Sequence, residues 1–239
     1  MIEFYFLLLV LIMVVCIIIA VVSFLYNRSQ YHKSSYHQNT HTPYSDLLFD
    51  KGIQGECRVA LSLAPFQYQS ARLLHNLYLP TTNGNTTEVD SVLITHSGVF
   101  VIEVKNLSGW IFGDADQKYW CQSLPASHGS RKHTFYNPIW QNGTHIRALR
   151  QLIDQNVPYY SIIVFPDHCT LKQITLRDAR ANIVYVSELA SLIKQVHEME
   201  ENRLSDTDIF KIYTKLYPYA HVDNETKARH VYNVSKKRQ

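Results

Sequence analysis

From Phe4 to Leu25 the chain is an uncharged run of Leu, Ile, Val and Phe with a few small residues, and beyond Tyr26 it turns polar. A helix rises about 1.5 Å per residue, so such a run is long enough for a hydrocarbon core of about 30 Å. The pattern predicts a transmembrane helix within residues 1–26. Only Glu3 precedes the run, which lacks the basic leader of a cleaved signal peptide. Arg28 and Lys33 follow it, and by the positive-inside rule this sets a single-pass anchor with the C-terminal part in the cytoplasm. Residues 27–46 are Asn, Ser, Gln, His, Tyr and Thr with almost no aliphatic side chains, and they read as a solvated linker that includes His32, His37 and His41.

From Leu47 the pattern becomes that of a folded domain. Ile53, Cys57, Ala60, Leu61 and Ala64 recur at helical spacing, predicting a helix over Gly52–Leu63. Ala71–Leu79 reads as a strand stopped by Pro80, and Thr87–Thr95 and Val99–Asn106 read as a hairpin turning at His96-Ser97-Gly98. Alternation puts Val99, Val101, Glu103 and Lys105 on one face of the second hairpin strand and Phe100, Ile102 and Val104 on the other. Both faces are apolar, the mark of a central strand covered on both sides. Short strands follow at 109–112 and 118–122, around Asp114-Ala115-Asp116, a turn without the residue series of a calcium loop. Residues 123–135 read as a polar loop whose Arg131, Lys132 and His133 could contact phosphate.

Asn137-Pro138 is a capped helix start, and Ile139, Ile146, Leu149 and Ile153 carry that helix inward. Strands are expected at 160–165 and 182–186, then helices at Ser187–Glu200 and Ser205–Leu216, each opening on a serine cap. Residues 219–239, with Lys227, Arg229, Lys236, Lys237 and Arg238, read as a disordered basic tail. The order predicts an α/β domain over residues 47–218, a mixed sheet flanked by helices, behind an N-terminal transmembrane helix.

Composition narrows the function by exclusion. A net charge of +3 over 239 residues does not by itself announce a nucleic-acid binder. Cys16, Cys57, Cys121 and Cys169 form no C-x-x-C pair, which argues against a zinc site and suits a reducing compartment. Phosphate-loop, nucleophile-elbow and H-E-x-x-H motifs are absent.

The chemistry lies in the hairpin. Glu103 and Lys105 are charges near the end of an apolar central strand, and Asp90 opens the apolar run of its partner at the same end. Two carboxylates can hold a hard divalent cation, and a lysine beside them can steady an attacking water or charge developing on a phosphate. Glu88 shares the face of Asp90 and ranks below it, at the rim.

Asp90, Glu103 and Lys105 in this spacing resemble the core of the PD-(D/E)xK nuclease superfamily. The flanks resemble its nuclease-related domain, NERD, more specifically: Gly52–Glu56, Asn76–Pro80, Thr87–Asp90, Gly98–Asn106, Gly109–Gly113, Trp120 and Asn137–Asn142, over roughly residues 50–165. The resemblance implies a restriction-endonuclease-like core and hydrolysis of phosphodiester bonds, in DNA ahead of RNA. It implies Mg²⁺ or Mn²⁺ held by Asp90, Glu103 and the Val104 carbonyl, with Lys105 positioning water. It assigns Glu56, on the first helix, and Gln141, in the first turn of the Asn137 helix, to the same site. The competing expectation is a membrane-tethered module on this fold that binds nucleic acid or protein without cutting; a secreted domain is the third.

Overall fold

A computed structural model describes residues 2–68, 70–127, 129–153, 156–177 and 181–237. Helix α1 (Ile2–Lys33) contains the apolar run and is fully exposed over its most apolar window; it is the one described helix long and apolar enough to cross a membrane. Two short helices follow, α2 (Ser35–Thr40) and α3 (Tyr44–Phe49). The folded pattern then gives α4 (Lys51–Leu63), β1 (Arg72–Pro80), β2 (Thr86–Thr95), β3 (Gly98–Val104), β4 (Gly109–Asp114), β5 (Tyr119–Pro125) and β6 (Ser130–Tyr136). After these come α5 (Pro138–Leu152), β7 (Tyr159–Phe165), β8 (Cys169–Thr175), β9 (Asn182–Tyr185), α6 (Val186–Met199), α7 (Asp206–Ala220) and α8 (Asn224–Lys237). The result is mixed α/β, with one five-stranded sheet ordered β1-β2-β3-β7-β9 and one four-stranded sheet ordered β6-β5-β4-β8.

β3 is central, antiparallel to β2 and parallel to β7. Its faces divide as alternation requires. Val99 and Val101 pack with Leu149 of α5 and Ile212 and Leu216 of α7. Phe100 and Ile102 pack with Val59 and Leu63 of α4 and Leu189 and Ile193 of α6. Burying each such side chain is worth about 1.5–3 kcal/mol, so the strand that carries Glu103 and Lys105 is anchored from both sides. Asn137 caps α5 as its sequence suggests, accepting from the Ile139 amide at 2.9 Å. The amide of Asn142 on α5 donates to the Val101 carbonyl at 2.8 Å and to Ser161 Oγ at 2.9 Å, tying the helix to β3 and β7.

Four local expectations are corrected. Residues 27–46 are mostly helical, as the end of α1, α2 and the start of α3, rather than an unstructured linker, because their tyrosines supply the apolar surface that aliphatic residues do not. Tyr31 and Tyr36 are buried against Cys57 and Ala60 of α4. The polar stretch 123–135 contains most of β6, an edge strand held by ladder bonds to β5 and exposed along most of its length. Helix α6 starts at Val186, its first turn closed by Glu188 accepting from the Tyr185 amide at 2.9 Å, while Ser187 donates to Asp167 instead of capping. The basic tail forms α8, docked through His230 on Thr86 at 2.9 Å; Arg238 lies outside the described residues.

Candidate active site

The ladder between β2 and β3 runs from Thr95↔Gly98 to Ser91↔Ile102 and stops there. Glu103 and Val104 continue alongside β7, so the last turn of β3 has a free flank where β2 has parted from it. Asp90 fills that flank, its Oδ2 accepting from the Val104 amide at 2.7 Å. The Lys105 amide donates the other way, to Val164 of β7 at 2.8 Å. Amide and carbonyl of one strand residue point to the same side, so the Val104 carbonyl faces the side of Asp90.

A phase slip in the sheet explains why Asp90 is free to turn. Val89 and Val92 are three residues apart yet share one core, as do Leu74 and Leu77 on β1. A regular strand would send each pair to opposite faces. The slip falls between the pairs His75↔Ser91 and Leu77↔Val89, at Asn76, whose φ of 51° lies in the left-handed region that Asn tolerates better than most residues. Asp90 is the residue across from it.

Helix α5 reads the other end of the pattern. Glu103 and Lys105 are two residues apart on a strand, about 6.7 Å, and Gln141 and His145 are four apart on a helix, about 6 Å. The pairs therefore match one to one across antiparallel elements. His145 Nε2 lies 2.9 Å from Glu103 Oε2, and Lys105 Nζ donates to Glu103 Oε1 and, at 3.0 Å, to Gln141 Oε1. His145 Nδ1 is held by Thr87 Oγ1 at 2.8 Å.

Glu56 enters from α4. Its helix comes close to the end of β3 because Gly55 has no side chain: a Cβ there would fall 2.6 Å from that of Asn106. Glu56 Oε2 accepts from Tyr36 OH at 2.7 Å, and Tyr36 is fully buried. The short helical segment after α1 thus forms one wall around a candidate catalytic carboxylate.

The three carboxylates are held in different electrostatic states. Glu103 is 1% exposed. Burial opposes its ionisation, but the Lys105 ammonium and the His145 contact outweigh that and hold its carboxyl below the usual range. Asp90 is pushed well above its usual value by burial first, then by the charges of Glu103 and Glu56, against a partial offset from Lys105. Glu56 is raised to about 7, chiefly by burial, with Tyr36 opposing.

Asp90, Glu103, Val104, Lys105 and Gln141 thus converge on the end of β3, and Glu56 joins them through its field on Asp90. Glu88 turns to Tyr78 OH at 2.6 Å and to His230 of α8. Sequence reasoning missed His145, Tyr36, Asn142 and Asn76. For His145 a signal existed, since it sits four residues after Gln141 on the same helix face. Among the described residues no three His, Cys, Asp or Glu side chains stand close enough to form a ready-made metal cage.

The fold is a mixed α/β domain whose central hairpin gathers an aspartate, a glutamate and a lysine at one end. Residues 51–166, from the start of α4 to just past β7, match the family model described as nuclease-related domain, NERD. A Bacillus anthracis protein described only as uncharacterized is 31% identical over 181 residues, covering 76% of this chain and 82% of the relative. The chain belongs to the NERD family. No solved structure matches it.

Proposed function

We propose that this protein is a membrane-anchored, metal-dependent nuclease that hydrolyses phosphodiester bonds, in DNA ahead of RNA. The observation that carries the reading is the convergence at the end of β3 of Asp90, which accepts from the Val104 amide at 2.7 Å, with Glu103 and Lys105, which are bonded to each other. The donor set fits a hard dication. Asp90 is engaged through Oδ2 by a backbone amide, and Asp90, Glu103 and the Val104 carbonyl offer only oxygen ligands. Mg²⁺ or Mn²⁺ held there would supply charge neutralisation at phosphorus and a more acidic water.

The chain's own groups do the rest. Lys105, fixed between Glu103 and Gln141, aims its ammonium at one place and stabilises negative charge arriving there. Gln141 accepts from Lys105 through Oε1 and so orients it. His145 holds Glu103 in one rotamer and keeps it ionised. Glu56, poised near neutrality, can hold or release a proton beside Asp90. The single helix is read as one bilayer span, with Arg28 and Lys33 keeping the folded part in the cytoplasm.

The test uses the full chain in non-ionic detergent with plasmid DNA and RNA, with Mg²⁺, with Mn²⁺ and with EDTA. Metal-dependent nicking that is lost in Lys105→Ala supports the proposal, whereas cleavage in EDTA or by that variant overturns it. A second reading, a tethered module that binds without cutting, draws on one observation: both Glu103 oxygens are already engaged, by Lys105 and His145. Nucleic-acid binding with no cleavage under any metal would favour it.

A further inference from the structure

Next to the site, on the α4 side of the end of β3, lies a cleft of about 400 Å³. Asn106, the residue after Lys105, is part of its lining and packs against Gly55, the neighbour of Glu56 on α4, so the cleft borders the site without sharing a side chain with it. The rest of its wall comes from segments far apart in sequence: Lys51 and Arg58 of α4, Gln122 of β5, His133 of β6 and His168 after β7. Among the described residues no carboxylate lines it. Lys51, Arg58, His133 and His168 are exposed, and among the described residues none is paired with an acidic side chain. Arg131, two residues before His133 and on the same face of exposed β6, extends the same character. In a chain whose formal charge is only +3, gathering unpaired basic groups around one concavity is a local bias that overall composition hides.

Gln122 shows how the cleft is built. Its amide nitrogen donates to the Ser108 carbonyl at 2.8 Å, which fixes the side chain across the strand crossing. Asn106 likewise donates to the Lys51 carbonyl, locking the start of α4 to the end of β3. The basic side chains thus stand on a rigid frame shared with the site. A row of long cations and neutral amides, with no acid among them, suits a repeating phosphodiester better than a single compact anion.

We infer that this cleft is the track for the sugar–phosphate backbone of the nucleic acid beyond the scissile phosphate, with Lys51 and Arg58 as its main phosphate contacts. The inference rests on the nuclease reading for the place of the scissile bond, but binding in the cleft can be measured without cleavage. An anionic lipid headgroup has related chemistry. The nucleic acid is favoured because the cleft reaches Asn106, one residue beyond Lys105, so a chain lying in it would pass beside the candidate site.

The experiment uses the full chain in non-ionic detergent with EDTA present, so that nothing is cut, and reads anisotropy of a fluorescent DNA oligonucleotide over a salt series. Lys51→Ala with Arg58→Ala should weaken binding about tenfold at low salt and flatten the slope of log affinity against log salt by about 1–2, one increment for each phosphate that is no longer neutralised. Lys211→Ala with Lys215→Ala, removing the same charge from exposed positions of α7, should change affinity less than twofold. Equal losses in both double variants would mean general charge attraction and overturn the cleft. Unchanged DNA affinity in the first variant overturns it as well, and loss of flotation with anionic vesicles in that case would reassign the cleft to lipid. Wild-type binding of the expected kind with no cleavage under Mg²⁺ or Mn²⁺ would leave the cleft standing and refute the nuclease.

Discussion

Asp90 and Glu103 are carboxylates at one end of one hairpin, yet the fold treats them in opposite ways. Glu103 is buried among partners, with Lys105 on one oxygen and His145 on the other, and ionises more readily than usual. Asp90 has a backbone amide and two acidic neighbours, and holds its proton more tightly than usual. The difference comes from Lys105 first and from His145 of α5 second, which together compensate Glu103, while Asp90 on the other flank of β3 is only partly offset by Lys105. Glu103 therefore adds to the stability of the metal-free chain, whereas Asp90 subtracts from it.

The comparison can be broken at Lys105 first. Lys105→Ala should lower cleavage by about a thousandfold or more, a loss of transition-state charge stabilisation of ~4 kcal/mol. The same variant should also fold less stably, because Glu103 would lose the Lys105 ammonium and keep the His145 contact. The change should destabilise by ~3 kcal/mol, seen as a lower melting temperature in EDTA. Next, neutral substitutions should split the pair. At pH 8 without metal, Glu103→Gln should lower the melting temperature and Asp90→Asn should raise it, while both abolish metal-dependent nicking. Glu103 has a lowered folded-state pKa, so its contribution is present above the unfolded value of about 4.5 and is lost as pH falls through the folded one. For Asp90 the sign reverses, and its penalty grows as pH rises above about 3.9. Melting temperatures moving the same way in both variants would end the contrast.

Glu56 sharpens the picture over pH. Its folded value of about 7 lies above the ordinary 4.5, so between those two values the folded chain holds a proton that the unfolded chain has released. Stability contributed by Glu56 therefore falls as pH rises through that window, by at most ~1.4 kcal/mol per pH unit. Glu56→Gln should remove this slope from a series of unfolding curves in metal-free buffer. The smallest effect is expected from Tyr36→Phe, which deletes one bond to that carboxylate. A drop of ~1.5 kcal/mol in thermal stability is anticipated, with cleavage reduced several-fold.

Much of this was legible in the chain because the central elements bury alternating or helical apolar faces. The hairpin, α5 with its Asn-Pro start and the capped α7 all read from pattern and punctuation. The strands that were missed or only grazed, β6 and β8, are both edges of the smaller sheet; β6 is mostly exposed and β8 buries only Cys169 fully. Hydrogen bonds from a neighbour hold such strands, and hydrogen bonds leave no trace in hydrophobic pattern. The site divides in the same way. Asp90, Glu103 and Lys105 stood out as charges in an apolar setting. His145 lay on a face whose partner strand could not be known, and Tyr36 sat in a stretch whose composition looked like solvent-exposed linker.

The junction of Tyr36 with Glu56 has a geometric consequence. Helix α1 has 32 residues, about 48 Å at 1.5 Å each, of which a bilayer core would take about 30 Å. Less than two nanometres of rod would then separate the lipid boundary from the short helices that clamp onto α4. If α1 spans a bilayer, the mouth formed at the end of β3 would be held in a thin layer above it, and a polymer acted on there would have to be delivered to that layer. Trimming the chain at residue 47 to obtain a soluble fragment would also strip away a piece of the mouth itself.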